Sequence, residues 1–371
     1  MGKNCSCLKG AEEEKQVSLS KPLPLDYPGN ISNRDDQRSE FRNIDFDAGD
    51  LIKIQSFMRG FLDRRQVQIM KMPNQVKGLY HELQDNNESP EQPRMEIKEI
   101  HPSKVPDYST YATKNVEHLL GDFVYSETFN DSCTTILLGP VEMENGAIYV
   151  GEWNDNKERH GKGCQMWTDG SKYQGYWQHD KANGKGRLIH ADGDVYEGFW
   201  KNDKAHGKGV YMHTNGARYD GDWEFDKQHG KGIETWPDGA KYEGEYRQGK
   251  KHGHGKFCWA DGSSYNGEFA ENNINGSGVY QWSDGRKYQG EWKNNKMDGK
   301  GEFTWSDGRK YKGDYWDDKK HGYGVFNWPD GREYRGEWIG GKQHGKGTYY
   351  IPGTGIKEGE WKDGKRIKWI E

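Results

Sequence analysis

The fold is decided by a stretch of 23 residues, Lys287-Tyr-Gln-Gly-Glu-Trp-Lys-Asn-Asn-Lys-Met-Asp-Gly-Lys-Gly-Glu-Phe-Thr-Trp-Ser-Asp-Gly-Arg309, after which the pattern opens again at Lys310-Tyr311. Its opening tyrosine recurs through much of the chain, first after 24 residues and then seven times after 23. A fixed period of this size is typical of repeat proteins. The opening tyrosines are Tyr149, Tyr173, Tyr196, Tyr219, Tyr242, Tyr265, Tyr288, Tyr311 and Tyr334.

Each repeat predicts two β-strands. A glycine follows the tyrosine by two residues and an aromatic residue follows by two more, as in Tyr288, Gly290 and Trp292. Residues two apart on a strand share a face, so these three point to the same side. The second half of the repeat, from Gly299 to Trp305, alternates in the same way. Nine repeats therefore predict eighteen strands in an elongated, single-layer antiparallel sheet with one aromatic face, about 85 Å long at roughly 4.8 Å per strand.

The parity of this alternation predicts the two turns. A four-residue loop from Asn294 to Met297 keeps the aromatic and glycine residues on one face. In that register Trp292 lies opposite Gly299, Gly290 opposite Gly301, and Tyr288 opposite Phe303. The second turn needs an odd number of residues if Phe303 is to lie beside Tyr311. We predict a three-residue loop, Ser306-Asp307-Gly308, with its glycine at positive φ, in preference to a two-residue Asp-Gly turn.

The recurring residues, Tyr-x-Gly-x-Trp followed by His-Gly-x-Gly and Asp-Gly, resemble the MORN repeat family over residues 141 to 362. Membership implies a curved, one-layer sheet of hairpins that acts as a scaffold, sometimes near membranes and often in cilia, flagella or the cytoskeleton. The array, residues 147–362, ends in a degenerate tenth repeat where Lys357 replaces the tyrosine. Open sheets need covered edges. We therefore expect residues 111–146 to cap the first edge, and the apolar tail, 363–371, to cover the last edge or join two chains as a homodimer.

Composition narrows the function classes. Hydrophobic residues make up 31% of the chain, too few for a large packed core, so an exposed aromatic face is expected to bind a partner. The net charge of −5 combines many charges of both signs and argues against general nucleic-acid binding. Five scattered cysteines make no disulfide framework. Neither a signal-peptide core nor a membrane-spanning apolar run is found, which predicts synthesis in the cytosol.

The amino terminus fits an acylation signal. Gly2 followed by Ser6 matches the myristoylation pattern, and Cys5 and Cys7 are candidates for palmitoylation. A second lipid would give stable anchoring, which a single myristoyl chain does not. The alternative is an ordinary polar start, because residues 1–45 otherwise have the composition of a disordered tether.

Residues 46–73 differ from their surroundings. Asp50 is a candidate N-cap, Pro73 ends the pattern, and the apolar residues between them have the spacing of an amphipathic helix. Between residues 51 and 72 five basic residues oppose Asp63, which gives a net charge of +4. Such a helix can lie on an anionic membrane, pack on its own protein or enter a calmodulin-type groove. Residues 74–110 are again polar and contain prolines, as expected of a linker.

The spacing Ile54-Gln55-x-x-x-Arg59-Gly60-x-x-x-Arg64 matches the IQ motif without a departure. The resemblance implies binding of calmodulin or a related EF-hand protein. It also implies a role for each residue: Ile54 as the hydrophobic anchor, Gln55 as a hydrogen-bond partner of the lobe linker, Arg59 and Arg64 as partners of acidic side chains, and Gly60 as the point of close approach.

The aromatic face is more continuous in the later repeats. The residue opposite the tyrosine is Phe or Tyr at positions 257, 280, 303, 326 and 349, whereas Gln165, Leu188 and Glu234 stand there earlier. We therefore expect a protein partner, such as a helix, on the later half. The predicted contact residues are Tyr265, Tyr280, Tyr288, Trp292, Phe303, Trp305, Tyr311, Phe326, Trp328 and Tyr334.

Catalytic and metal chemistry is not expected. Histidines recur at one repeat position, namely His160, His206, His229, His252, His321 and His344, but Asn183, Asn275 and Asp298 replace them in sister repeats. A turn-stabilising hydrogen bond explains this set better than a metal site. MORN repeats also accompany phosphatidylinositol phosphate kinases and lysine methyltransferases, whose catalytic domains are separate. No kinase-type His-Arg-Asp or Asp-Phe-Gly set occurs here, so we predict no catalytic residue and no cofactor.

The sequence therefore predicts a non-enzymatic scaffold or adaptor. Its predicted location is the cytoplasmic side of the plasma or ciliary membrane, or a cilium or cytoskeletal structure. In one alternative the sheet itself binds phosphoinositide lipids through basic loop residues such as Lys201, Lys204, Lys250 and Lys251. In another, the protein is a structural component of a cilium or flagellum and carries no acyl chain.

Overall fold

The computed structural model describes residue 97 and residues 99–125 and 133–370. The predicted IQ helix, acylation site and tether lie outside these residues and remain predictions. The described chain forms two compact units. The first comprises the described residues up to 271 together with 277–289, and the second comprises 272–276 and 290–370. No helix in these described stretches is both long and apolar enough to cross a membrane.

The described elements are one short 3₁₀ helix, one α-helix and 21 strands. The helices are the 3₁₀ helix Pro102–Lys104 and α1, Tyr111–Leu120. The strands of the first half are β1 Thr135–Glu142, β2 Ile148–Asn154, β3 Arg159–Met166, β4 Lys172–Gln178, β5 Lys181–Ile189, β6 Val195–Lys201, β7 Lys204–Met212, β8 Arg218–Glu224, β9 Lys227–Thr235, β10 Lys241–Arg247 and β11 Lys250–Cys258. The remaining strands are β12 Ser264–Ala270, β13 Asn273–Gln281, β14 Lys287–Lys293, β15 Lys296–Thr304, β16 Lys310–Trp316, β17 Lys319–Asn327, β18 Glu333–Ile339, β19 Lys342–Ile351, β20 Gly355–Lys362 and β21 Lys365–Ile370.

All the strands belong to one antiparallel sheet, which confirms the predicted mainly-β fold. The nine repeats supply eighteen of them, β2 to β19. In the first unit β1 pairs with β2, where the sequence predicted a covering segment. In the second unit β20 and β21 form a further hairpin with Trp369 opposite Gly359, so the predicted tail is itself a strand.

The first turn of the repeat is shorter than predicted. Strand β14 ends at Lys293 and β15 begins at Lys296, which leaves Asn294 and Asn295 as a two-residue turn with positive φ at both positions. This is the geometry of the type I′ turn, which suits the twist of paired strands. The four-residue loop is therefore wrong, and so is the predicted pairing of Trp292 with Gly299. In the Tyr242 repeat their counterparts are Tyr246 and Gly253, and Tyr246 lies opposite Lys251 instead.

A bulge beyond this turn restores the predicted register. In the Tyr242 repeat, Glu245 pairs with His252 but Gly244 pairs with Gly255, so β11 accommodates two extra residues. Further along the hairpin Tyr242 lies opposite Phe257, as parity requires. The same shift occurs between β16 and β17 and between β18 and β19. The extra residues thus replace the two that the loop lacks.

The second turn is as predicted. Trp305 N–H donates to the Arg309 carbonyl at 2.9 Å, and the three residues between them form the loop. Gly308 has a φ of +89°, a conformation that glycine adopts without strain. Asp307 accepts a hydrogen bond from Arg309 N–H at 3.1 Å. Phe303 therefore lies opposite Tyr311, where the sequence placed it.

Successive hairpins are tied together by the second residue of the two-residue turn. Asp226 N–H donates to the Ala205 carbonyl at 3.0 Å, and Asp226 Oδ1 accepts from Ala205 N–H at 2.7 Å. Asn295 makes the same pair of bonds with Ile274. We call this arrangement the turn brace. The other residues that form it are Asp180, Asp203 and Asp318.

The core is built from the opening tyrosines and the facing glycines. Tyr242 is fully buried, and its hydroxyl donates to the Glu245 carbonyl at 3.0 Å. A Cβ added at Gly244 or Gly255 would come within 2.5 Å of the Tyr242 hydroxyl oxygen. The facing glycines therefore leave the space that the tyrosine ring occupies, flat against the backbone of the sheet. Edge-to-face contacts at 5.2 Å with Tyr246 and Phe269 complete the packing in this repeat.

Helix α1 lies against the turns of the early repeats. Its N-cap, Thr110, accepts from Thr113 N–H at 3.0 Å and donates to the Ala191 carbonyl at 2.9 Å. Glu117 of the helix forms an ion pair with Lys172. The next residues pack on the sheet, since Tyr125 donates to the Gly163 carbonyl at 3.2 Å.

Candidate partner-binding face

Eight of the ten aromatic residues predicted to meet a partner are buried by their neighbours. All eight expose 6% or less of their surface, because opening tyrosines such as Tyr265, Tyr311 and Tyr334 lie over glycines and neighbouring rings pack against one another. Direct contact between these eight and a partner is therefore not compatible with this structure. Trp305 and Trp328 are the exceptions, as both are half-buried. The buried residues are Tyr265, Tyr280, Tyr288, Trp292, Phe303, Tyr311, Phe326 and Tyr334.

In several repeats the tryptophan before the three-residue loop is half-exposed. We call four of these residues the tryptophan row: Trp236 and Trp259 in the first unit, and Trp305 and Trp328 in the second. In the first unit, Trp236 and Trp259 are also half-buried, and the sequence reasoning missed both. They stand one repeat apart at the position of Trp305, which is the signal that could have identified them. Phe257 lies between them, with ring centroids 5.4 Å and 4.6 Å away.

The second unit repeats this alternation of rings, with neighbouring rings tilted against each other. Trp305 lies 4.4 Å from Phe303 and 5.5 Å from Phe326, measured between ring centroids. Trp328 lies 4.5 Å from Phe326 and 5.7 Å from Tyr349. Each exposed tryptophan is thus held between two phenyl rings, so its apolar surface is ordered before any partner arrives.

In some early repeats a polar side chain replaces the tryptophan before the three-residue loop. His213 stands where later repeats have tryptophan, and its Nδ1 lies 3.2 Å from Asp194 Oδ2. Burial tends to raise the pKa of Asp194, but hydrogen bonds from His213, from Thr214 N–H and from Tyr211 outweigh it and hold that pKa well below its usual range. Trp167 of the first repeat is half-buried at the same position, so two histidines, His190 and His213, separate it from Trp236 and the later tryptophans.

Two lysines lie against the tryptophan row, of which Lys320 is buried and Lys251 exposes 12% of its side chain. In the first unit, Lys251 Nζ lies 5.1 Å from the Trp236 ring centroid and 2.7 Å from Glu234 Oε2. In the second unit, Lys320 Nζ lies 5.4 Å from the Trp305 centroid and 4.5 Å from that of Trp338. Burial, with a smaller contribution from the positive charge of Arg309, lowers the pKa of Lys320 to about 7.

At the repeat position where histidine recurs, some of the side chains bond to the neighbouring turn and others do not. Asn275 Oδ1 accepts from Asn294 N–H at 3.2 Å, and Asp298 Oδ2 accepts from Asp317 N–H at 3.4 Å. These are turn-stabilising bonds of the kind expected. His206 and His321 differ, because their Nδ1 atoms are buried without a hydrogen-bond partner among the described residues. Within those same residues, no cluster of three metal-ligating side chains occurs.

The basic loop residues proposed as lipid contacts are largely engaged within the protein. Lys250 forms a 2.8 Å ion pair with Glu271, and Lys251 forms one of 2.7 Å with Glu234. Lys204 lies 5.8 Å from the centroid of the Phe225 ring. The two ion pairs reduce the positive charge that the loops offer to a headgroup, whereas Lys204 keeps its charge and Lys201 is exposed.

An open antiparallel sheet of repeated hairpins, with tyrosines laid over facing glycines, defines a structural repeat protein. The family model of the MORN repeat matches ten segments, and the chain belongs to this family. The segments are residues 149–172, 173–195, 196–218, 219–241, 242–264, 265–285, 288–308, 311–331, 334–354 and 358–366. They cover more than half of the chain, and no catalytic-domain family was detected beside them. A sequence search of curated proteins found no match.

The solved structures that match this chain share little sequence with it. The TCP10 domain of Danio rerio CPAP, in complex with a peptide of STIL, is 11% identical, with 64% of this chain and 99% of that chain covered and a TM-score of 0.32. The TCP domain of Drosophila melanogaster SAS-4, in complex with a proline-rich motif of Ana2, is 10% identical, with coverages of 58% and 96% and a TM-score of 0.24. At these TM-scores the likeness supports no inference about function.

Proposed function

We propose that this chain is a non-enzymatic scaffold whose later repeats hold a protein partner, with an apolar helical face as the expected contact. The observation that supports this most directly is the tryptophan row. Half-exposed tryptophans that neighbouring rings already hold in place offer a large apolar area to a partner, and binding then costs little side-chain entropy. A repeat protein of this family binds partners or membranes, and the paired charges of the loops favour a protein partner.

Replacement of Trp328 by alanine tests this proposal. Peptides selected from a displayed random library on the full chain should bind the Trp328→Ala variant at least tenfold more weakly, as expected of a tryptophan hot spot. Trp316→Ala is the matched control, because Trp316 is 62% exposed but follows Tyr315 by one residue and so lies on the other face. Equal weakening by the two substitutions would contradict the assignment.

We propose further that residues 54–64 recruit calmodulin or a calmodulin-like EF-hand protein. The support is the IQ spacing, with Ile54 as anchor and Arg59 and Arg64 as partners for acidic side chains. Ile54→Glu should abolish recovery of the chain on immobilised calmodulin, with and without calcium, whereas Ile52→Glu, which lies before the motif, should not. Equal recovery of Ile54→Glu and the parent chain would remove the IQ assignment.

Anchoring on the cytoplasmic side of a membrane is proposed to depend on Gly2, Cys5 and Cys7. Gly2→Ala should prevent incorporation of an alkyne myristate analogue in cells. Liposome flotation of unacylated full-length chain separates this from the lipid-binding alternative. Flotation that requires phosphoinositide in the vesicles would assign membrane binding to the repeats, whereas no flotation would leave acylation as the anchor.

A further inference from the structure

Lys320 is a buried cation surrounded by aromatic rings. It lies on β17 opposite Tyr315 and exposes 3% of its surface. Its Nζ is 4.5 Å from the Trp338 ring centroid, 4.8 Å from that of Phe326 and 5.4 Å from that of Trp305. Within the part of the chain that the structure describes, no carboxylate forms an ion pair with it. The rings attract the ammonium group, but a buried charge without a counterion is costly.

The same repeat position holds a lysine with its counterion 69 residues earlier. Lys251 lies 2.7 Å from Glu234 Oε2, and the Tyr246 hydroxyl donates to the same oxygen at 2.8 Å. Adding 69 to 234 gives position 303, which is Phe303. The two sites thus differ by the loss of one carboxylate, and the first shows which ligand the second lacks.

The surroundings of Trp305 also carry more positive charge than those of Trp236. The Arg309 guanidinium carbon lies 5.5 Å from the Trp305 ring centroid, so this ring contacts two cations. Ala240 stands at the position of Arg309 in the earlier repeat. Asp307 pairs with Arg309 at 2.7 Å and offsets one of the two charges. One positive charge therefore remains beneath a half-exposed tryptophan.

We propose that Lys320, covered by Trp305, forms a recognition site for the carboxylate of an Asp or Glu side chain on the partner segment. This inference rests on the proposed docking of a partner on the tryptophan row. The carboxylate would take the place that Glu234 occupies beside Lys251, and apolar residues flanking it would cover Trp305 and Trp328. Because Lys320 exposes only 3% of its surface, a neighbouring ring must move to admit the carboxylate, and Trp305 is the half-exposed ring beside it.

The direct test uses a small carboxylate probe. Indole-3-propionate should shift the Lys320 side-chain NMR signals of the full chain and raise the pH at which they titrate by about one unit or more, as a close counterion does. Indole-3-propionamide, its uncharged analogue, should not. Equal responses to acid and amide, or no response to the acid, would overturn the proposal.

Two substitutions give an independent readout. Lys320→Met is a conservative choice, because Met297 fills the equivalent buried position one repeat earlier. Phe303→Glu rebuilds the Glu234 arrangement and should occupy the site from within. Both substitutions should lower the affinity for library-selected acidic peptides by about tenfold or more, which is the effect expected when one partner of a buried charge pair at an interface is lost. Lys319→Met, the same change on the opposite face, should leave the affinity unchanged.

The outcomes distinguish this inference from the function on which it rests. Selected peptides that need Trp328 but carry no acidic residue would overturn the Lys320 assignment and leave the docking face intact. Failure to select any peptide would count against the docking face, while the small probe would still decide for or against the Lys320 site. In each variant, unchanged NMR signals of the Lys251 side chain would show that the corresponding site around Lys251 remains folded.

Discussion

Lys320→Met should stabilise the protein at neutral pH, although it removes a charge and adds no contact. The pKa of Lys320 is lowered from 10.5 to about 7. Each pH unit between these values corresponds to about 1.4 kcal/mol, so burial of the protonated amine lowers the free energy of unfolding by on the order of 4 kcal/mol. Methionine fills a similar volume in the ring cage without this cost.

The sign of the pH dependence follows from the same shift. The folded state binds the Lys320 proton more weakly than the unfolded state does, so the free energy of unfolding of the parent rises with pH between about 7 and 10.5. Above about pH 10 the buried tyrosines act in the opposite direction, because burial raises the pKa of residues such as Tyr334 in the folded state alone. The informative range is therefore pH 6 to 9.

Urea denaturation of parent and variant across this range is the assay. The stability difference should be largest at the acidic end and should shrink as pH rises, with Lys319→Met indistinguishable from the parent. A destabilised Lys320→Met, or a difference that does not change with pH, would refute the reasoning. The first result would mean that the ring contacts of the ammonium outweigh its desolvation. The second would mean that the amine stays protonated in the folded state throughout this range, so that its pKa is not lowered into it.

Three further substitutions test the packing rules of the repeat. Gly255→Ala should lower the free energy of unfolding by more than about 3 kcal/mol, because its Cβ would meet the Tyr242 ring, whereas Gly239→Ala, with open space but positive φ, should cost about 1 kcal/mol in the same denaturation assay. Asp226→Ala should cost about 1–3 kcal/mol by breaking the turn brace, and hydrogen exchange at Ala205 should accelerate, while Asp226→Asn should be nearly neutral because Asn295 makes the same bonds. Glu234→Ala should cost about 3 kcal/mol by leaving Lys251 buried without its counterion, and a second change, Lys251→Met, should recover much of that loss in a double-mutant comparison.

Much of the fold follows from the sequence because strand parity is a strict constraint. The three-residue loop and the Phe303–Tyr311 pairing were both predicted from the requirement that aromatic residues share a face. The first turn could not be settled in this way. Two arrangements place Tyr242 opposite Phe257. One is a four-residue loop, and the other is a two-residue turn followed by a two-residue bulge. Parity cannot distinguish them, and the positive φ values of the turn are a local property that the alternation does not encode.

The sequence directed the partner-binding prediction to the later repeats, where the structure buries eight of the ten predicted contact residues. This prediction rested on the aromatic content of the later repeats. Aromatic content alone could not show that pairs of glycines let the tyrosine rings lie flat, where neighbouring side chains cover them. Exposure instead belongs to tryptophans such as Trp236 and Trp305, which the sequence places beside loops. The buried state of Lys320 was also missed. Comparison of sister repeats could have found it, because Ile274, Met297 and Gln343 hold the same position and two of them are apolar.

The turn brace has a consequence for how this chain can change in length. Each brace joins residues 21 apart, as between Ala205 and Asp226, and so uses groups from adjacent repeats alone. Gain or loss of a whole 23-residue unit within the array would leave every remaining brace with a correct partner, so duplication or deletion can lengthen or shorten the array one hairpin at a time. An insertion of one residue inside a strand would instead turn the following side chains to the wrong face and leave a brace unmade. We therefore expect length differences in proteins of this design to come in whole repeats.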